Sequence, residues 1–347
     1  MTTVLHVGTD EGVRTLRSED GSTWEEHKAQ MPTLSVEEVV VVPSRPHIVL
    51  AGTRGDGVWR SEDGGATFSK PSRGRRGPGK VRCLTLDPVN DSRVYAGTEP
   101  IDLYVSDDLG EHWEVLESLW EHPWTAQVDY PVANVEPHVR DIAIDPSNPD
   151  VLYLALQVGY ILKSVDGAKS WTLLNEGFDA DVHTFAINPA APNELSIATG
   201  GESSRRGVSG GKALFKSADA GESWQALATE YSQTYSIPYL LKPGQPETAY
   251  VALANGNPGR WRARESGAES VLVRTRDGGT SWEEVPLPFS FAGRGMIVAM
   301  TPDATDAERL FAVFNTGELI ASADGGESWS DLGLRFEGPN DLKSVAA

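Results

Sequence analysis

The chain has 347 residues, with 50 Asp and Glu against 30 Lys and Arg, a formal charge of −20, and 39% hydrophobic residues. That balance speaks against a surface that grips nucleic acid by neutralising phosphates, and no apolar run approaches the roughly 18 residues of a membrane span. One cysteine, Cys83, leaves no internal disulfide framework, and the first residues carry no basic stretch followed by an apolar one; the expectation is a soluble cytoplasmic protein.

Taken in order, the chain predicts strands and almost no helix. TVLHVGT (3–9) opens as a strand, and the turn SEDGSTW (18–24) follows. IVLAGT (48–53) leads to SEDGGATF (61–68), then VRCLTLDP (81–88) and RVYAGT (93–98) lead to SDDLGEHW (106–113). The pattern returns as VRDIAIDP and VLYLAL before SVDGAKSW (164–171), and as VHTFAINP and LSIATG before SADAGESW (217–224). AYVALA precedes TRDGGTSW (275–282), and MIVAMTP and RLFAVF precede SADGGESW (322–329). Each unit reads as strand A, a Pro turn, a small-residue strand B, a loop, strand C, the Ser/Thr-x-Asp turn and strand D.

Each turn has a physical rationale. Its glycines supply positive φ, the Asp carboxylate accepts backbone N–H groups, and the aromatic that follows opens strand D and fills the space between sheets. These residues resemble the Asp-box, or BNR, repeat of sialidases, of some endoglucanase propellers, of the sortilin family and of photosystem II assembly factors. The resemblance runs through essentially the whole chain and implies an all-β, seven-bladed propeller of four-stranded blades, one domain over 1–347. The last residues, LKSVAA, match strand A, so the C-terminal strand is expected to complete the blade begun at the N-terminus.

Function is expected on the face opposite those turns, because the long connections 69–80, 114–138, 199–212 and 254–270 all fall there. Trp120, Trp124 and Trp261 lie in those insertions, away from the repeated aromatic positions, and are candidate stacking platforms for a sugar ring. Strand A supplies the rest. Its lower positions are apolar, whereas higher on the same face stand Glu37, Arg82, Arg140, His183 and Lys343, then His138, Tyr235 and Arg294. These predict a polar pocket at the top of the central channel for a small-molecule or glycan ligand, an anionic one among the candidates.

The chemistry is less legible. Glu37, Asp181, His183 and Tyr235 are the candidates for catalysis, which would be glycosidase-like; sialidase activity is disfavoured because the Arg-Ile-Pro segment of those enzymes is missing. His138 and His183 are weak metal candidates without a ligand motif, and no cofactor is expected. Arg73, Arg75, Arg76, Arg205 and Arg206 add positive charge to the same face, beside Arg260, Arg262 and Arg264. The alternative is a docking scaffold that grips a protein with its top face.

Overall fold

The computed structural model describes residues 2–71, 77–130, 132–201, 212–288 and 294–346. Seven antiparallel sheets stand in a ring around a channel, and each winds outward from an innermost strand. The innermost strands are Val36–Val42, Lys80–Leu86, Val139–Ile144, Val182–Ile187, Tyr235–Lys242, Ile297–Pro302 and Pro339–Ala346. The last of these touches both Ile297–Pro302 and Val36–Val42, so the circle is complete. Six sheets have four strands; in the second blade, Val36–Val42, Arg45–Thr53 and Gly57–Ser61 are followed only by a bridge between Arg60 and Ser69. Among the described residues, helix is limited to Ser118–Glu121, Pro258–Ala263 and a single 3-10 turn.

The repeated turn builds the bottom of each blade. In the fourth blade the Asp166 carboxylate accepts from the Ser164 hydroxyl at 2.8 Å, the Ser170 N–H at 2.9 Å and the Ser170 hydroxyl at 2.6 Å. Hydrogen bonds from Ser170 and Ser164 hold that carboxyl down at about 2. Two consecutive residues take positive φ, Gly167 at 72° and Ala168 at 65°, and the Gly167 N–H ties the turn to Asp150 O at 3.0 Å. The same bonds recur around Asp108, Asp219 and Asp324. The aromatic then packs on the preceding blade: Trp171 joins the cluster of Tyr95 and Leu103, and Trp329 that of Tyr250 and Leu272.

The small residues of the second strands let neighbouring blades close up. A Cβ on Gly52 would meet Val81 Cγ1 at 2.6 Å, and one on Gly97 would meet Val139 Cβ at 2.7 Å, both below any tolerable contact. Closure of the ring is as the sequence predicts: Pro339–Ala346 pairs antiparallel with Thr3–Thr9, Val4 opposite Val345 and Val7 opposite Leu342. Deleting residues 342–347 removes five of the seven pairs of this strand and the buried Leu342 and Val345. The loss should exceed about 3 kcal/mol from apolar burial alone, read as a large drop in the denaturant midpoint. A truncated chain that melts like its parent would contradict this closure.

Candidate functional site

The channel mouth is shaped by a β-bulge in one innermost strand after another. Pairing to the second strand skips a residue between Val36 and Glu38, Val81 and Cys83, Val139 and Asp141, and Val182 and Thr184. The skipped residues are Glu37, Arg82, Arg140 and His183. A bulge re-aims its side chain and breaks the alternation of faces, so four consecutive blades offer a polar group at one level. In the seventh blade the skipped residue is the apolar Val298, which leaves the mouth polar on one side only.

Two groups of contacts occupy that side. In the first, Glu37 is ion-paired to Arg54 and lies 3.6 Å from Arg82 Nη1. Arg82 is 3.8 Å from Glu99 and places Nη2 3.2 Å from His138 Nε2. The other His138 nitrogen, Nδ1, sits 2.9 Å from Glu136 O, so a proton on Nδ1 donates to that carbonyl while Nε2 accepts from Arg82. Burial, then the Arg82 charge, push His138 down to about 3 and fix it as a neutral imidazole.

In the second group, Asp181 accepts from Gln157 and lies 3.4 Å from His183 Nε2. Burial opposes its ionisation, yet His183 and Arg140 hold its carboxyl below the usual range. His183 Nδ1 sits 3.0 Å from Ser236 O, and its ring is 4.7 Å from that of Tyr235, which in turn meets Trp261 edge-on at 5.2 Å. Burial raises the Tyr235 hydroxyl well above its ordinary value. Arg140 stands between the groups. Burial would lower its pKa, but Tyr235, Glu37, Asp141 and Asp181 outweigh it, and its guanidinium has neither a hydrogen bond nor an ion pair among the described residues.

A second layer lies below; of its members the reading of strand A pointed to Lys343 and not to Glu38. Asp341 accepts from the Val39 N–H at 2.8 Å, Glu38 from Leu84 N–H at 3.0 Å, and Asp141 from Phe185 N–H at 2.7 Å. Each carboxylate reaches from its own innermost strand to the backbone of the next. Lys343 Nζ joins two of them, 2.9 Å from Asp341 and 3.3 Å from Glu38. The signal was an acid directly after the bulged residue, visible as Glu38 and Asp141 in two copies of the repeat.

The structure thus brings Glu37, Arg82, His138, Arg140, Asp181, His183 and Tyr235 to one mouth, and it moves others away from the predicted roles. Lys343 sits deeper, in an ion-paired layer. Arg294 precedes its strand and is exposed beside the Gly267 turn, outside the cluster. Trp261 is 6% exposed, its indole N–H bonded to Gly256 O at 2.6 Å, and Trp124 bonds Gly159 O at 2.8 Å and packs near Tyr160. Both pin their own loops, because a large ring in a long insertion is most stable buried beneath it. Trp120 alone of the three is turned out, 54% exposed.

His138 and His183 engage separate partners, and among the described residues no three His, Cys, Asp or Glu side chains are grouped to hold a metal. Cys83 is buried with Sγ 3.7 Å from Val139 O, and burial raises its thiol well above the ordinary value, which leaves it no reactive role. Arg73, Arg75, Arg76, Arg205 and Arg206 lie outside the described residues.

No family model matches the chain. A xyloglucanase of Hypocrea jecorina (strain QM6a) is 22% identical, over 73% of this chain and 32% of that enzyme, so the chain spans about a third of the curated relative it matches. The GH74 enzyme of Niastella koreensis superposes with a TM-score of 0.57 at 15% identity, covering 98% of this chain and 66% of that one. YCF48 bound to D1 peptide superposes with a TM-score of 0.55 at 14% identity, covering 85% and 80%. At these identities the likeness is one of fold.

The two layers should leave opposite marks on stability against pH. Burial raises Glu38 from the ordinary 4.5 to about 7. Its contribution is complete below pH 4.5 and lost as pH rises towards 7. His138, lowered from 6.5 to about 3, contributes fully above pH 6.5 and loses that as pH falls. Urea melts across this range should show Glu38→Gln gaining on the parent as pH rises, and His138→Gln gaining as it falls. Curves parallel to the parent would refute both assignments.

Proposed function

We propose that the channel mouth binds a neutral carbohydrate. The observation that carries this reading is Arg140, a charged guanidinium with no hydrogen bond or ion pair among the described residues, set among Asp181, Asp141, Glu37 and Tyr235. Sugar hydroxyls donate and accept at once, and such a mixture of fixed donors and carboxylate acceptors suits them. An anionic ligand suits it less, since among the described residues the added charge would face three carboxylates around one unpaired cation. The fold shared with xyloglucan-degrading and GH74 propellers supports the same ligand class.

Hydrolysis is a further step that this mouth does not equip by itself. Glycoside cleavage requires one carboxyl that carries a proton and one that is ionised. Asp181 is held ionised, and Glu37 is committed to Arg54 and Arg82. The carboxyls that burial raises are Glu38, to about 7, and Asp141; the first faces Leu84 N–H and Lys343, the second the Ile142 and Phe185 N–H groups, both one layer down. The reading is therefore a binding site in which Arg140, Asp181 and Tyr235 contact the sugar and His183 positions Asp181.

Calorimetric titration with a xyloglucan heptasaccharide tests it. Arg140→Ala and Asp181→Asn should each weaken binding at least about tenfold, a loss of one charge-assisted hydrogen bond, with little change in melting temperature. A glucuronate-bearing oligosaccharide should bind more weakly than the neutral one. Binding untouched by Arg140→Ala, preference for the acidic sugar, or release of reducing ends that depends on Asp181 would each overturn the reading.

A further inference from the structure

The insertion 114–138 carries a second surface, separate from the channel mouth. Beside it opens a cavity of about 350 Å³ whose lining includes Pro100, Ile101, Trp120, Ala126, Glu136 and Pro137. Trp120 presents its ring there at 54% exposure, and Val132, in the same insertion, is 49% exposed. They are two of the four large hydrophobic side chains most exposed among the described residues. The Trp120 backbone is fixed in the short helix, where its N–H bonds Glu117 O at 2.9 Å, and its indole lies near the Asp102 carboxyl. The segment beneath is anchored as well, by Ser118 Oγ on Ala168 O at 2.5 Å and by Trp124 on Gly159 O. An exposed tryptophan fixed over an apolar hollow is an unusual expense of hydrophobic surface for a chain of charge −20.

The charge around the hollow says what kind of occupant it fits. Residues 114–138 contain five acids and no Lys or Arg. Glu117, Glu121, Asp129 and Glu136 are exposed, and none has an ion pair among the described residues. Like charges crowded on one insertion repel, and a cation relieves that repulsion. A neutral sugar would stack on Trp120 but leave the acids unanswered.

We infer that the Trp120 hollow docks an extended protein segment in which Lys or Arg flanks an aliphatic or proline residue. The apolar residue enters between Trp120, Ile101 and Pro137, and the basic residues face Glu117, Glu121 and Glu136. Anchor and rim then divide the work in the usual way, the buried ring giving affinity and the charges giving rate and choice of partner. This goes beyond the sugar site and does not rest on it.

The experiment uses an array of fluorescein-labelled octapeptides, each with Leu, Ile, Val or Pro between Lys or Arg residues, and matched peptides with Glu in place of the basic residues. Binding is read by anisotropy with the full chain at low and high salt. Basic peptides should bind, more weakly as salt rises, and the acidic set should not. Trp120→Ala should weaken binding at least about tenfold, with an unchanged melt because the ring is exposed. Glu121→Gln with Glu136→Gln should flatten the salt dependence. Arg140→Ala should leave peptide binding intact while removing the heptasaccharide, which separates the two sites. The inference is overturned if no peptide of the array binds, if acidic peptides bind as well as basic ones, if Trp120→Ala binds like the parent, or if only the heptasaccharide depends on Trp120.

Discussion

Everything in this molecule depends on one antiparallel pairing, that of Pro339–Ala346 with Thr3–Thr9. A ring of sheets has no stable partial form of the same kind, because each innermost strand is held by the two beside it. Where the chain ends meet, the ring is kept closed by backbone hydrogen bonds and not by a covalent link. The carboxylates of Asp341 and Glu38 extend that closure inward, each reaching an N–H of the next blade, and Lys343 clamps the two. The terminal strand is thus joined to its sheet and, through its side chains, to the second blade.

The same strands generate the candidate site. A bulge leaves local pairing incomplete, and here that irregularity recurs at one height in successive blades, turning Glu37, Arg82, Arg140 and His183 to a common level. Below it, acids satisfy the backbone; above it, charged groups neutralise one another. Among the described residues Arg140 is the exception within this arrangement, which is why the ligand reading rests on it. The polar arc stops where Ile237 and Val298 replace charged residues, so any ligand is offered polar contacts by one half of the mouth and apolar walls by the other.

The fold was legible because its signals are local and repeated: a turn that needs positive φ, copied seven times, a strand of small residues, copied six times, and a recurring Pro turn. The site was legible in part. Counting along strand A found the mouth residues, since strand ends at the same height converge whatever lies between them. It failed for Glu38 because strict alternation points that residue away, and a bulge cannot be read from a two-residue period. It failed for Trp261 and Trp124 because a sequence shows that a tryptophan sits in a long loop but not whether the loop folds over it. Arg294 was placed by counting past the true start of its strand at Ile297.

Cys83 gains a meaning from where it lies. Its thiol is 1% exposed and wedged at the seam between the third and fourth blades, against Val139. A thiol reagent reaches it only when that seam parts. Because it is the only sulfhydryl in the chain, its labelling rate is a clock for the opening of one defined seam in an otherwise native ring. The protein therefore carries its own reporter of how often the circle breathes.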